Sequence, residues 1–248
     1  MLEKDFEAVF ISDLHLSPQE PLITKRFEFF IQWAAKHTKS VYILGDFFHA
    51  WAGDDDKESW SDSISQQLRW LAEQKVSIFY LHGNRDFLLG QDFANEARMT
   101  ILKEPTLINL ENTPVLLVHG DRYCTKDKSH QWFRRLTRNP WFTRFFLLFP
   151  LKFRKKLVAT VRQHSQTNHS KTIEQMDIVP QPMLRQMDEY KVTILIHGHT
   201  HKPGLRKHWY NERQYNQYTL SDWDDSPQLL CYNKSYGLYF NHDVFGVI

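Results

Sequence analysis

Five short apolar runs in this chain of 248 residues each stop at a cluster of the residue types that bind divalent cations. Residues 8–11 run into Ser12-Asp13-Leu14-His15, and residues 41–44 into Gly45-Asp46. Residues 76–81 lead to Gly83-Asn84-Arg85-Asp86, residues 115–118 to His119-Gly120-Asp121, and residues 192–196 to His197-Gly198-His199-Thr200-His201. Short apolar runs bounded by turn residues read as buried strands. In open α/β sheets the ligand sites lie beyond the carboxyl ends of the strands, so the five clusters are expected to converge. The candidate ligands are Asp13, His15, Asp46, Asn84, His119, His199 and His201: two carboxylates, one amide and four imidazoles, with no thiolate. Seven groups are too many for one ion that stays open to substrate, but two ions sharing a carboxylate use them all. Asp46 is the natural bridge. Asp13, His15 and one His then serve one ion, and Asn84, His119 and another His the second. Mixed nitrogen and oxygen ligation suits Mn, Fe or Zn. A Gly-Asp after one strand is ordinarily just a turn; the weight lies in five clusters, each directly after an apolar strand.

The elements that must position these residues alternate. Helical patterns over about 23–36 and 61–73 separate the first three strands, and β-like segments recur near 217–220, 228–232 and 236–240. The fold class is therefore α/β. Charge divides the chain. From Arg122 to Lys171 there are thirteen Lys and Arg against one acid, Asp127, a balance of +12. The remainder carries 18 basic and 28 acidic residues, a balance of −10, so the net +2 of the whole conceals an asymmetry. The basic stretch is rich in Trp and Phe and reads as short helices broken at Pro140 and Pro150. We expect a core of residues 1–121 and 172–248 with residues 122–171 inserted as a helical cap.

Hydrophobic residues at 42% and charged residues at 24% are ordinary for a globular protein and exclude collagen, coiled coil and wholesale disorder. Two cysteines, Cys124 and Cys231, make neither a disulfide framework nor a four-Cys zinc site, which fits a reducing compartment. The opening MLEKDFEAVF carries acids where a secretory signal is basic, so no signal peptide is expected. The longest apolar run, residues 145–151, falls far short of the roughly 20 residues that span a bilayer.

Asp-x-His, Gly-Asp, Gly-Asn-x-Asp, His-Gly-Asp and Gly-His-Thr-His, in this order over residues 8–201, resemble the calcineurin-like metallophosphoesterase superfamily. That resemblance implies two packed sheets flanked by helices, a four-layer α/β/β/α sandwich, and two divalent ions, often Mn. Three longer stretches narrow it: Asp13-Leu14-His15-Leu16-Ser17, Gly45-Asp46-Phe47-Phe48-His49-Ala50-Trp51-Ala52-Gly53-Asp54-Asp55, and Gly83-Asn84-Arg85-Asp86-Phe87 with His119-Gly120-Asp121-Arg122-Tyr123-Cys124-Thr125. These are similar to the branch that hydrolyses UDP-2,3-diacylglucosamine in lipid A biosynthesis, where the inserted segment is the cap. The resemblance implies UMP and 2,3-diacylglucosamine 1-phosphate as products. It also implies a monomer held peripherally at the cytoplasmic face of the inner membrane, with no nucleic acid as partner. Asn84 and Arg85 would act on the phosphates, His199 would touch substrate as well as metal, and Asp127, Asn168 and Lys171 would contact the substrate from the cap. Where that branch has a cap serine this chain has His164, with Ser165 beside it.

Arg85 carries a chemical argument of its own. Many superfamily members have His at this place, which can protonate an alkoxide leaving group. Arg does not release a proton at neutral pH, but it clamps phosphate through two N–H donors. A phosphate leaving group, with a second pKa of about 6, needs no general acid. Arg85 therefore favours a diphosphate substrate, unless it merely pairs with Asp86 or Asp127. The rival function is a nuclease or nucleotide phosphodiesterase, for which the basic, aromatic segment suits phosphate backbones and stacked bases; the apolar block at 145–151 argues against it. His82 and His197 flank the clusters and are expected to support ligands rather than bind metal. Cys124 is expected to pack. His49 has no assigned role.

Overall fold

The computed structural model describes residues 4–167, 177–225, 227–242 and 244–245, with the side chains of 164–167 left aside. Its strands form two sheets. In the first, β1 (Ala8–Ile11), β2 (Ser40–Ile43), β3 (Ser77–Tyr80) and β4 (Thr100–Ile101) lie parallel, while β10 (Leu229–Asn233) and β11 (Gly237–Asn241) add antiparallel on the β1 side. In the second, β6 (Thr113–Leu117), β7 (Ile194–His197) and β9 (Arg213–Thr219) are parallel, flanked by the antiparallel edge strands β5 (Thr106–Leu110) and β8 (Gly204–Tyr210).

Side-chain alternation along each strand sets the layers. Val9 and Ile11 of β1 pack with α1 (Pro21–His37) and α2 (Ser59–Glu73), whose buried residues include Phe27, Phe30, Ile31, Ile64 and Leu68. Ala8 and Phe10, from the other face, pack between the sheets with Leu44, Leu81, Val115, Leu117 and Ile196. Leu116, Val118 and Leu195 face outward onto α7 (Pro180–Glu189) through Met183, Leu184 and Met187. The result is the expected α/β/β/α order. Among the described residues between β6 and β7, three further α-helices form, α4 (Lys128–Thr137), α5 (Pro140–Leu147) and α6 (Leu151–Thr167); a six-residue α3 (Gln91–Glu96) follows β3. Both expected breaks are present: Asn139 caps α5 ahead of Pro140, and Pro150 precedes α6. No helix among the described residues is long and apolar enough to cross a membrane.

Asp86 ties the first sheet's loops together. It is fully buried, one oxygen accepts from the Gly83 N–H (2.8 Å), and the other accepts from Phe47 (2.7 Å) and Phe48 (3.2 Å). Burial raises its pKa, and the nearby Asp46 charge adds to that. Asp86→Ala leaves these buried donors without an acceptor and should lower unfolding stability by about 1–3 kcal/mol, read from the urea midpoint; an unchanged midpoint would show that water replaces the carboxylate.

Candidate metal centre

The chain does not turn sharply away at the ends of the parallel strands. The loops after β1 and β2 continue side by side, with backbone bonds from Asp13 to Gly45 (3.1 Å), His15 to Asp46 (3.0 Å) and Leu16 to Phe47 (2.9 Å). Leu14 and Leu16 stay in the helix-side core, so Asp13 and His15 are left to the opposite side. The shape this requires is unusual for L-residues. Asp13, His15, Asp46, His199 and His201 all have φ between 50° and 70°. Such left-handed residues are sparse outside glycine, and each costs on the order of 1–3 kcal/mol unless its surroundings enforce it. Five of the seven expected ligands share this backbone.

Two glycines permit the loops to meet. A Cβ on Gly83 would lie 2.1 Å from the Asp46 backbone nitrogen and carboxylate. A Cβ on Gly198, in the second sheet, would lie 2.3 Å from the Asp13 carboxylate of the first.

Within this junction the ligands sort into two triads. Asp13, His15 and His201 place their donor atoms within 4.8 Å of one another, as do Asp46, His119 and His199. The sequence left open which histidine joins which carboxylate; this geometry joins His201 to Asp13. Asp46 faces both groups, with Oδ2 3.5 Å from His15 Nε2 and Oδ1 3.7 Å from His119 Nε2. Asn84 Oδ1 lies 3.1 Å from His119 Nε2. The polar chemistry fits cations. Asp13 Oδ1 and His15 Nε2 are buried without a hydrogen bond. The outer nitrogens are committed: His119 Nδ1 donates to the Leu44 carbonyl at 2.8 Å, and His201 Nδ1 faces Asp222 Oδ2 at 3.1 Å. Each imidazole is thereby left with Nε2 directed at the carboxylates, as metal-binding histidines are.

Electrostatics agree. Burial opposes ionisation of Asp46, yet His119, His15 and Arg85 together hold it well below the usual carboxylate range. Burial also works against a charged His201, but the facing Asp13 and Asp222 carboxylates push it up to about 10. His199, in contrast, is pushed down to about 3 by burial and by the neighbouring His119 charge. His197 is not a ligand candidate. It donates to the Gly198 carbonyl (2.7 Å) and accepts from Gln217 (2.8 Å) and Thr219 (3.0 Å), a neutral imidazole bracing the loop. His82 likewise donates to the Leu89 carbonyl at 2.7 Å.

Arg85 does not pair with Asp86, whose oxygens are taken by backbone donors. Its Nε lies 3.3 Å from Asp46 Oδ2, and its Nη1 faces His49 Nδ1 at 3.4 Å. Burial and the Arg85 charge press His49 down to about 4, so the neutral ring can accept from Arg85. That gives His49 the role its sequence position did not. Cys124 packs as expected, its thiol pushed up to about 12 by burial.

From the metal end a cleft of about 610 Å³ opens under α4, α5 and α6. Its lining combines Asp46, Asn84, Arg85, His199 and His201 with the apolar Phe87, Phe133, Phe142, Phe146, Leu157, Val158 and Val161. The apolar block at 145–151 contributes to this lining only through Phe146. Phe146 faces the cleft, whereas Phe145, Leu147 and Leu148 are exposed on the outside, because one face of α5 must grip the core through Phe142 and Phe146. Asp127 borders the cleft and caps α4 by accepting from Ser129 (2.8 Å) and His130 (3.0 Å). Asn168 and Lys171 lie outside the described residues, as do the side chains of His164 and Ser165. The sequence reading missed Arg162, Lys202 and His130, which line the cleft, and Asp222 behind His201. Asp222 had a usable signal: it follows β9 as the other site residues follow their strands.

A profile of the calcineurin-like phosphoesterases matches residues 7–203. The chain belongs to that family. Three relatives are named UDP-2,3-diacylglucosamine hydrolase. The one from Aromatoleum aromaticum is 44% identical, covering 90% of this chain and 91% of the relative. That from Cellvibrio japonicus is 43% identical over 87% and 90% of the two chains. That from Coxiella burnetii is 41% identical over 90% and 92%. Calcineurin-like phosphoesterases of this class are metalloenzymes, and the two triads are where divalent ions fit this chain.

Metal uptake should be proton-linked. At neutral pH the apo protein holds a proton on His201, and a ligating imidazole must give it up, so Mn²⁺ affinity should rise as pH is raised from mildly acid to mildly alkaline. Calorimetric titration in two buffers of different ionisation enthalpy checks this; identical heats would mean no proton is released. Asp46→Asn should weaken both ions together, read as metal stoichiometry by elemental analysis.

Proposed function

We propose that this chain hydrolyses the diphosphate of UDP-2,3-diacylglucosamine, releasing UMP and 2,3-diacylglucosamine 1-phosphate, with two divalent ions, Mn²⁺ in the native state. The observation that carries the reading is the cleft, in which candidate metal ligands, cationic groups and seven apolar side chains line one volume. A substrate with a charged diphosphate and two acyl chains matches both. The names of the 41–44% identical relatives support the same substrate.

Asp13, His15 and His201 would hold one ion, and Asn84, His119 and His199 the other, with Asp46 shared. Two such ions, when bound, acidify a water and neutralise phosphate oxygens. The chain's own part is positioning and charge. Asn84 offers amide donors to the phosphates. Arg85, held between Asp46 and His49, presents its guanidinium to the diphosphate. The water attacks the phosphorus attached to uridine. The bond from that phosphorus to the bridging oxygen breaks, and the lipid leaves as a phosphate that needs no proton from the protein. Asp127, Asn168 and Lys171 would contact the sugar phosphate from the cap, residues 122–171. The outer cap faces carry Trp132, Trp141, Phe145 and Leu148, all exposed, among Lys and Arg. That combination supports peripheral attachment to an anionic bilayer surface, in keeping with our reading of a monomer held at the cytoplasmic face of the inner membrane.

The deciding experiment is mass analysis of products formed from UDP-2,3-diacylglucosamine in isotopically labelled water. Label should appear in UMP alone; label in the lipid phosphate would place attack on the other phosphorus, and no turnover would sink the substrate. Arg85→Ala should lower kcat about a hundredfold, the usual scale for a lost charge-stabilising donor. Arg85→His should not restore it, because no proton is required. Leu157→Asp or Val161→Asp should raise KM for the acylated substrate while leaving the deacylated one unaffected.

A further inference from the structure

Arg154 is the most deeply buried cation of the described residues, only 2% exposed, and it lies in the cap rather than in the site. All three of its nitrogens are engaged. Nε donates to the Phe149 carbonyl at 2.8 Å, Nη1 to the Ala52 carbonyl, and Nη2 to the Asp55 carboxylate. Lys155 adds contacts to Asp56 (2.8 Å) and Glu58 (2.7 Å). The partner loop is itself fixed to the core. Asp54 accepts from Trp51 Nε1 (3.0 Å), Gly90 N–H (2.8 Å) and Phe93 N–H (3.0 Å). Gly53, with φ of 131°, lets the helices come down onto the loop: a Cβ there would meet Arg154 Nη1 at 2.2 Å and Leu147 at 2.9 Å. This loop begins six residues after Asp46. On α6, Arg154 shares a face with Leu157, Val158 and Val161, at the i, i+3, i+4 and i+7 spacing of one helix stripe. Those three residues are the aliphatic wall of the cleft.

We infer that Arg154 is a positioning residue, a latch between α6 and the loop at 52–58 that fixes the aliphatic wall at a set distance from the metal ligands and so determines which acyl chains the cleft accepts. The inference rests on the reading that the cleft takes acyl chains. A hydrophobic contact would tolerate sliding of α6, whereas a guanidinium bonded to two backbone carbonyls and a carboxylate has one register. Arg is required rather than Lys, since a single ammonium cannot meet acceptors on both sides of the helix–loop joint in that fixed geometry.

The test uses the full-length Mn-loaded protein and the variants Arg154→Met, Arg154→Lys and Asp55→Asn. With Arg154→Met, KM for the diacyl substrate should rise about tenfold, the equivalent of one lost anchor. Its kcat, its metal content and its rate on bis(p-nitrophenyl) phosphate should not change. Amides of α6 should exchange faster with solvent while those of β1–β3 do not, and Arg154→Lys should not rescue. Asp55→Asn, on a largely exposed side chain, should give a smaller KM effect that is not additive with Arg154→Met. An unchanged KM, or a parallel loss on the small diester, overturns the inference, and Asp55→Asn alone decides if Arg154→Met does not fold. If the wild type fails to hydrolyse the lipid, the substrate reading falls separately, and unchanged α6 exchange in Arg154→Met still overturns the latch.

Discussion

Asp46 has one carboxylate oxygen toward His15 in the first sheet's loops and the other toward His119 in the second's. Keeping those two imidazoles on either side of one buried carboxylate requires the two sheets to meet at their carboxyl edges. Most of the architecture serves that requirement. Phe10, Leu44, Leu117 and Ile196 join the sheets from within. Gly83 and Gly198 remove the side chains that would hold the loops apart. Asp86 gathers the backbone donors of both the β2 and β3 loops. The left-handed residues are the cost of aiming so many polar groups inward at one point, and the bonds across adjacent loops are what enforce them.

The cap adds a second requirement, to hold apolar surface next to that polar junction. It is attached through charges at the near side. Arg134 reaches Asp121 (3.1 Å) and Glu104 (2.6 Å), and Glu104 in turn accepts from the His119 backbone (2.9 Å). Phe142 and Phe146 attach it by packing. The +12 balance of this segment is therefore not all free for a partner: Arg134, Arg138 and Arg154 are used internally.

What could be read from the sequence follows physical lines. Parallel strands buried on both faces are continuous apolar runs, so β1, β2, β3, β6 and β7 were legible, and with them every candidate ligand. Edge strands are not apolar. Gly204–Tyr210 carries Arg206, Lys207 and His208 and gave no strand signal, although it pairs along its whole length with β9. The helix α7 was not expected; Pro180 and Pro182 sit in its first turn, where proline is compatible with a helix. The division into two sheets came from family resemblance rather than pattern, because nothing local tells β3 from β6. Pairing of His201 with Asp13, and the support from Asp222, depend on contacts between residues some 20 to 190 positions apart. Which residues of the block at 145–151 turn inward could not be read from composition, because amphipathic α5 commits Phe142 and Phe146 to the core.

The order in which the chain visits its sheets has a further consequence. It lays down β1–β4, crosses to build the whole second sheet and the cap helices α4–α6, and only then returns with β10 to pair against β1, Ala8 opposite Tyr232. The second sheet is thus an excursion closed by a strand pair at its neck. Neither sheet can be taken apart alone without unzipping that pair or breaking the interior they share. The two ligand triads consequently belong to a single cooperative unit. Each triad therefore depends on the pairing at the neck as much as on its own loops, and the backbone that carries Asp13 is held by the last strands of the chain to fold back.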